Sequence, residues 1–339
     1  MSVDADVLVV GGGPVGLASA IEARLAGLTV VVIEPREGPI DKACGEGLMP
    51  GALPLLHRLG VDPAGRILRG VSYRSGSSHA DHEFRSGVGR GVRRTVLHRA
   101  LAARADALGA GRIVARVTDV VDEPGGVAAG GVTGQWLLAC DGLHSMVRRA
   151  VGLQGAPARR ARYGIREHVA VAPWSDLIEV HWTPLAEIYV TPVDDTTVGV
   201  ATLGPRGVGL DDALAFAPAL ARRLEGAPRV SERRGAGPFG ERARRPSSGR
   251  VLLVGDASGY VDALTGEGLR VGFEQARVAV ASLVGGVPYD AEWRRVTRTF
   301  RRLTRGLVAV AESPVRGAIV PVASALPGLY GSIVERLAR

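Results

Sequence analysis

The 339-residue chain is long enough to bury a sizeable core, in two domains or in one elaborated domain. It carries a net charge of +8, yet all but one of its 42 basic residues are arginines, and these are scattered along the chain. No basic run alternates with aromatic residues, so we exclude nucleic acid as a partner. The two cysteines, Cys44 and Cys140, are too few for a disulfide framework. No signal pattern precedes the first apolar run, which favours a cytoplasmic location.

Residues 7–33 predict a strand, a helix and a second strand, with a glycine-rich turn after the first strand. Gly11, Gly13 and Gly16 have the spacing G-x-G-x-x-G. The first permits a tight turn, the second lets a pyrophosphate approach the backbone, and the third lets the helix pack on the strand. Glu34 ends the second strand, where a carboxylate can accept hydrogen bonds from a ribose. The pattern therefore predicts a dinucleotide site.

The loop at 37–50 contains Lys42-Ala43-Cys44-Gly45-Glu46-Gly47, whose glycines indicate either backbone close to a ligand or a plain surface loop. After it we predict a helix at 50–59, a strand at 67–74, a helix at 94–108, strands at 113–121 and 127–132, and a buried run at 136–140. Asp141 follows this buried run at a helix entrance. It either faces a ligand or caps the helix.

A change of pattern at 163–203 predicts an antiparallel sheet inserted into the βα chain. Its predicted strands lie at 169–171, 177–182, 187–193 and 197–203, and a helix at 211–224 and a basic connector at 233–245 follow. The apolar run 251–254 then leads to Gly255 and Asp256, and a glycine-framed turn, Gly266-Glu267-Gly268, opens a helix at 269–283. Asp256 either binds ligand hydroxyls or caps a helix. The tail at 290–339 predicts helices broken by prolines, with no apolar run near the roughly 20 residues that cross a bilayer.

These motifs, in this order, resemble the FAD-dependent para-hydroxybenzoate-hydroxylase-like superfamily. The motifs are the G-x-G-x-x-G with Glu34, then Arg94-x-x-Leu97, Cys140-Asp141-Gly142 and Gly255-Asp256-Ala257. The Cys44-Gly45-Glu46-Gly47 and Leu264-Thr265-Gly266-Glu267-Gly268 stretches are more similar to the geranylgeranyl-reductase-related branch. The resemblance implies an α/β fold with a Rossmann-type FAD-binding domain at 1–75, 90–160 and 246–288. An inserted antiparallel β-sheet substrate domain would occupy 76–89 and 161–245, and a C-terminal helical segment 289–339.

The resemblance also implies the residues that bind FAD. Gly11, Gly13, Gly16 and Glu34 would hold the ADP half, Arg94 the ribityl chain or pyrophosphate, and Asp256 the ribityl hydroxyls. Gly266, Glu267 and Gly268 would lie under the pyrimidine end of the isoalloxazine, and Asp141 would contact FAD and NAD(P)H. The remaining predicted cofactor-binding residues are Pro14, Arg36, Cys44, Gly45 and Gly255. Cys140 is interpreted as packing, and no metal site is predicted.

The superfamily leaves the reaction open. A halogenase is disfavoured, because the single lysine, Lys42, lies in the flavin-proximal loop and no Trp-x-Trp-x-Ile-Pro stretch occurs. The sequence favours a monooxygenase that oxidises an aromatic or polyketide-like molecule of specialised metabolism through a flavin C4a-hydroperoxide. The alternative is a prenyl reductase that saturates isoprenoid double bonds. The Cys-Gly-Glu-Gly loop favours the reductase, and the short chain without an obvious membrane-docking segment favours the monooxygenase. A non-catalytic flavin-binding module is a third hypothesis.

Only one dinucleotide motif is present, so NADPH or NADH would bind transiently, or a separate flavin reductase would deliver the electrons. The expected substrate is a hydrophobic or aromatic small molecule. No catalytic residue is assigned. The pocket candidates are Cys44, Glu46, His181 and Tyr189, and the neighbouring Trp182 and Thr191 are considered with them. Ordinary sheet packing is the alternative for the residues of the inserted sheet.

Overall fold

The computed structural model describes residues 3–158 and 161–338. Strands and helices are numbered in chain order. The first sheet contains β1 (Ala5–Val10), β2 (Val30–Ile33), β8 (Gly111–Ile113), β9 (Val120–Glu123), β10 (Gly126–Ala129), β11 (Val132–Ala139), β17 (Ser247–Ser248) and β18 (Val251–Leu253). Its main order is β17-β18-β11-β1-β2-β8, and β1 lies parallel to both of its neighbours. Parallel strands in this position are covered on both faces, which explains why β1 is a continuous apolar run.

Five helices accompany this sheet: α1 (Pro14–Leu25), α2 (Ala52–Arg58), α3 (Arg94–Ala107), α4 (Met146–Ala150) and α7 (Gly268–Gly285). Alternate residues of β1 serve two cores. Val7 and Val9 pack in the cluster of α1, α3 and α7, whereas Leu8 and Val10 pack in a second cluster that includes Val147 of α4. The sheet is therefore a buried middle layer.

The second sheet contains β5 (Gly70–Ser75), β6 (Ser78–Glu83), β12 (Tyr163–Val169), β13 (Leu177–Trp182), β14 (Glu187–Pro192), β15 (Val198–Gly204) and β16 (Arg234–Ala236), in the order β16-β12-β15-β14-β13-β5-β6. All neighbours are antiparallel except β13 and β5. Helices α5 (Leu210–Leu214) and α6 (Pro218–Leu224) share a core with one face of this sheet. A small third sheet joins β3 (Gly47–Leu48), β7 (Gly89–Gly91) and β4 (Arg66–Leu68), with β7 in the middle.

The C-terminal segment forms α8 (Tyr289–Ala311), a 3₁₀ helix (Pro314–Ala318), α9 (Ile319–Ala325) and α10 (Pro327–Ala338). Helices α9 and α10 pack against β5 and β6, and the Tyr330 hydroxyl donates to the Val71 carbonyl at 3.1 Å. Within 3–158 and 161–338 no single helix is long and apolar enough to cross a membrane. Residues 289–311 and 314–325 are long and apolar enough only when they are taken together, and the chain bends by 96° between them.

Several predicted elements differ from the structure. The strand predicted at 67–74 is two strands, and the second of them, β5, joins the second sheet through parallel pairing with β13. Residues 70–75 thus lie in the second sheet, although the predicted boundaries place them with the FAD-binding residues. The helix predicted at 211–224 is two helices because Pro218 lacks an N–H and begins a new helix. The strand predicted at 113–121 is largely irregular, the strand predicted at 169–171 ends at Val169, and the predicted connector contains β16.

Candidate active site

A cavity of about 850 Å³ lies between the first and second sheets and is lined by residues of both. Most of the predicted cofactor-binding residues line it: Gly11, Gly13, Pro14, Glu34, Arg36, Cys44, Gly45, Arg94, Asp141, Asp256, Gly266 and Gly268. The pocket candidates Glu46, Tyr189 and Thr191 also line it. The structure therefore brings sequence-distant motifs to one site, while the contact of each residue with a cofactor stays a prediction.

The glycine-rich turn has the shape expected of a phosphate cradle. Gly11 has φ of +103°, and a Cβ there would lie 2.5 Å from the Cys140 carbonyl oxygen. A Cβ at Gly16 would lie 1.8 Å from the Gly11 carbonyl oxygen, so helix α1 can approach β1 only with glycine at this position. A Cβ at Gly13 would meet only the Arg94 guanidinium, at 3.9 Å. Gly13 therefore borders open space at the start of α1, where N–H groups attract anions.

Glu34 is held in one orientation at the edge of this turn. Its carboxylate accepts hydrogen bonds from the Gly12 N–H at 2.8 Å and from the Arg36 side chain at 2.7 Å. Burial opposes ionisation, but the hydrogen bonds from Arg36 and Gly12 hold the pKa of Glu34 below its usual range. The carboxylate is thus ionised and fixed in direction, which suits an acceptor of ribose hydroxyl groups.

Charged groups of both signs meet farther along the cavity. Burial raises the pKa of Asp256, and the nearby Lys42 opposes that rise. Burial lowers the pKa of Lys42, while the Asp256 and Asp141 carboxylates favour its charged form. Within the described part of the chain, the buried Asp141 Oδ1 and Arg94 Nε have no hydrogen-bond partner. Because buried polar atoms are normally satisfied, these two fit a ligand that carries hydroxyl and phosphate groups, as FAD does.

Asp141 has a carboxylate oxygen available for each of the two roles that its sequence position allows. Its Oδ2 accepts a hydrogen bond from the Val147 N–H at 3.0 Å and so caps the start of α4. Its Oδ1 stays unsatisfied at the cavity. The helix-capping interpretation and the ligand-facing interpretation are therefore compatible.

The Cys44–Gly47 loop is tied to helix α3 and to the second sheet. Glu46 is the one non-glycine residue with positive φ, +57°, in the described ranges. Its carboxylate accepts from the Arg94 N–H at 2.8 Å and contacts His168 Nε2 at 2.6 Å. The Thr191 hydroxyl donates to the Gly45 carbonyl at 2.9 Å. These bonds hold a strained loop against the cavity. The glycines in the sequence indicated this position of the loop, but no sequence feature indicated its contact with His168.

Five of the residues considered do not line the cavity: Gly16, Gly255, Glu267, His181 and Trp182. The glycines shape the backbone around it, and a Cβ at Gly255 would lie 3.0 Å from Val15. Glu267 is buried and forms an ion pair with Arg270, so its side chain is part of the support for α7.

His181 lies on the wrong face of β13. Its Nε2 contacts Glu179 at 2.9 Å, whereas Ile178 and Val180 line the cavity. Successive side chains of a strand point to opposite faces, so His181 and Glu179 share the outer one. The alternation of polar and apolar residues in Leu177–Trp182 indicates which residues share a face. Selecting His181 because it is a histidine ignores that alternation. Cys140, interpreted as packing, is buried, and burial raises the pKa of its thiol to about 12.

The cavity continues into an apolar half that the sequence analysis largely missed. Its lining residues there include Met49, Val71, Tyr73, Ile178, Val180, Leu203, Phe239, Tyr260, Leu264, Val334 and Leu337. Tyr73 stacks edge-on against Trp182 with ring centroids 5.4 Å apart, and burial raises its pKa to about 12. The last two lining residues belong to α10. No motif marks them, because only the packing of α10 against β6 brings them to the site.

Comparison with known proteins places this site in a family. Residues 4–285 match the family model described as FAD binding domain. Menaquinone reductase of Mycolicibacterium smegmatis is 31% identical over 86% of this chain and 80% of its own length. Digeranylgeranylglycerophospholipid reductase 1 of Methanopyrus kandleri is 28% identical, with 84% of this chain and 82% of that protein covered. Rifampicin monooxygenase of Rhodococcus hoagii is 27% identical over 80% of this chain, which spans 62% of that relative.

A solved structure agrees with the fold. A flavoprotein/dehydrogenase from Cytophaga hutchinsonii matches with a TM-score of 0.86 at 19% identity, covering 98% of this chain and 92% of that one. The α/β fold with a second, mostly antiparallel sheet and C-terminal helices, which the motifs implied, is confirmed. The chain belongs to the FAD binding domain family, as the resemblance implied, and is an FAD-dependent oxidoreductase.

Proposed function

We propose that the chain is an FAD-dependent reductase that adds two hydrogens to a carbon–carbon double bond of an isoprenoid chain. The aliphatic lining of the apolar half of the cavity carries this proposal. Ile178, Val180 and Leu203 from the second sheet lie there with Val334 and Leu337 of α10. Such a wall binds a hydrocarbon chain by removing apolar surface from water, at about 25 cal/mol per Å². The sequence alone favours a monooxygenase, and this lining is our reason for preferring the reductase.

FAD, when bound, supplies the redox chemistry of this reaction, and the protein supplies binding and orientation. The glycine turn with Glu34 would hold the adenosine end, and Asp256 with Arg94 would hold the polyol and phosphates. The apolar wall would exclude water from the reacting double bond. NADPH, NADH or a separate flavin reductase would supply the electrons.

Saturation of a double bond also needs a proton. Two lining side chains that can donate one are the Cys44 thiol and the Tyr260 hydroxyl. Burial raises the pKa of Tyr260 well above its ordinary value, so its hydroxyl group keeps its proton until a strongly basic atom forms beside it. Its ring packs against Phe239 with centroids 5.6 Å apart, which fixes the direction of the hydroxyl group.

The competing function is the monooxygenase. Tyr73 and Tyr189 line the cavity and offer rings on which an aromatic substrate could stack. The similarity to a rifampicin monooxygenase also favours it. In the apolar half of the cavity, however, aliphatic residues are more numerous than aromatic ones. The relatives named as reductases are also matched over more of their length than the rifampicin monooxygenase is.

The test uses the FAD-loaded protein, chemically reduced, with a menaquinone, a geranylgeranyl compound and a phenolic polyketide. Mass spectrometry is done once without oxygen and once under heavy oxygen. We expect an isoprenoid product heavier by two hydrogens under both conditions. A product that gains one heavy oxygen atom, and forms only with oxygen present, would refute the reductase.

The proton donor is tested in the same assay with Tyr260→Phe and Cys44→Ala. Removal of a general acid lowers turnover by about 10²–10⁴-fold. We expect that loss for Tyr260→Phe at unchanged flavin content and a smaller loss for Cys44→Ala. The reverse order would assign the proton to Cys44, and equal, small losses would contradict both.

A further inference from the structure

The C-terminal segment exposes apolar side chains along most of its length. Between Pro314 and Val334 the sequence has one charged residue, Arg316, and that arginine pairs with Glu187 at 2.9 Å. Around it, 43–61% of the surface of five large apolar residues is exposed. These residues, here called the apolar face, are Val310, Val315, Val322, Leu326 and Leu329. Scattered exposed aliphatic residues are ordinary, whereas these five are concentrated between positions 310 and 329, which makes this segment a candidate interaction surface.

The same helices are firmly packed on their inner side. Val320, Ala323, Tyr330 and Val334 are buried in the core that includes β5 and β6. The apolar face is therefore the outer surface of a folded layer.

A row of arginines on α8 leads to this face. Arg294, Arg298, Arg302 and Arg305 are exposed, and their spacing places them along one side of the helix. Arg294 lies 3.8 Å from Asp290, whereas the other three have no carboxylate partner in 3–158 and 161–338. Arg305 precedes Val310 by little more than one turn. The arginine row thus ends shortly before the first residue of the apolar face.

We propose that the arginine row and the apolar face form a docking surface for an anionic lipid bilayer. Apolar side chains would enter the boundary between headgroups and acyl chains, while guanidinium groups would pair with lipid phosphates. The unpaired positive charge selects this occupant over a second copy of the chain, whose own arginine row would repel the first. The surface does not depend on which reaction the enzyme catalyses.

The position of the cavity gives this docking a use. Val334 and Leu337 line the cavity from inside the helical layer whose outer side carries the apolar face. A lipid-soluble substrate could leave a bilayer at this layer and reach the active site without crossing water. No membrane-docking segment is obvious in the sequence, whereas α8, α9 and α10 together form a candidate for one.

The experiment is co-sedimentation of the FAD-loaded full chain with vesicles of phosphatidylcholine alone and of phosphatidylcholine mixed with phosphatidylglycerol. We expect binding to the mixed vesicles, weakened by salt. The triple variant Arg298→Gln, Arg302→Gln and Arg305→Gln should bind about a hundredfold less, because each arginine near an anionic surface contributes about fivefold. The triple variant Val322→Ser, Leu326→Ser and Leu329→Ser should lose binding to the mixed vesicles.

Matched controls change as many residues elsewhere. Arg99→Gln, Arg206→Gln and Arg245→Gln remove the same charge, and Val121→Ser, Val284→Ser and Val287→Ser remove exposed valines. Both controls should bind vesicles as the parent does, and circular dichroism and flavin content verify folding of every variant. Absence of vesicle binding, equal losses in the controls, or self-association that the apolar variant abolishes would overturn the proposal. Turnover of a water-soluble isoprenoid should be unchanged throughout, which separates this test from that of the reaction.

Discussion

Gly13 and Gly16 belong to one turn but are needed for different reasons. A Cβ at Gly13 would point into the cavity, where its nearest neighbour is the Arg94 guanidinium at 3.9 Å. A Cβ at Gly16 would collide with the Gly11 carbonyl oxygen at 1.8 Å. The first glycine keeps space for a ligand, and the second lets a helix lie on a strand.

We therefore predict that Gly13→Val removes FAD without harming the fold. A valine side chain would occupy the phosphate cradle. The backbone at Gly13 has an ordinary φ of −69°, so valine fits there without backbone strain. Flavin absorbance of the purified variant should be lost, while the midpoint of thermal unfolding matches that of the wild-type apoprotein. Gly16→Ala is the paired variant and should destabilise the apoprotein by about 1–3 kcal/mol through overpacking. Retention of flavin by Gly13→Val would refute the cradle.

Local sequence predicts residues of this kind well, because spacing within a turn fixes backbone geometry over a few residues. Glu34 follows its strand directly, and its position at the cavity is set by β2 alone. His181 shows where residue type is insufficient. Its histidine suggested a pocket role, but the facing of β13 is decided by partners more than a hundred residues away in sequence, such as Val71 of β5.

At the scale of elements, the residue just before α7 has a charge state that is coupled to folding. Glu267 precedes the helix, is 1% exposed and pairs with Arg270, while its Oε1 has no partner among the described residues. Burial raises its pKa from 4.5 to about 7. The folded protein therefore binds this proton more tightly than the unfolded chain does.

From this we predict the pH dependence of stability. Between pH 4.5 and about 7 the folded state carries more protons than the unfolded state, so the free energy of unfolding falls as pH rises through that window. Glu267→Gln lacks this titration, so its stability relative to the parent should increase from pH 4.5 to 7 and then stay level. Denaturant unfolding of both apoproteins across this range measures the difference. Parallel curves would show that the carboxyl group does not titrate there.

For the whole molecule, the two sheets were visible in the sequence but their boundary was not. Periodicity marked strands at 67–74 and 177–182, yet nothing local indicates that 70–75 pairs in parallel with 177–181. Such pairing depends on register and on the loops that return the chain, which span a hundred residues here. The role of α10 at the cavity has the same cause. Motifs predicted one half of the cavity lining, and long-range packing determined the apolar half.

The α10 side of the cavity yields a last prediction, on substrate length. Leu337 is 7% exposed and lines the cavity from α10. Leu337→Trp adds a large ring on that side, so a long isoprenoid chain should lose part of its binding space while a short one keeps it. We expect KM for the longest accepted chain to rise about 10–200-fold, the range for a hydrophobic pocket that excludes small increments of size.

The variant is compared with Ile178→Phe, which narrows the same cavity from β13, and with Leu25→Trp, where the parent leucine is 46% exposed at the end of α1. The two cavity variants should shorten the preferred chain at unchanged flavin content, whereas Leu25→Trp should behave as the parent does. A uniform loss of substrate binding across all chain lengths would mean that the ring disturbs the fold or the flavin, and not the α10 side of the cavity alone. Selective loss of the long chains would place the hydrocarbon along the helical layer, with its reacting double bond near the Cys44–Gly47 loop.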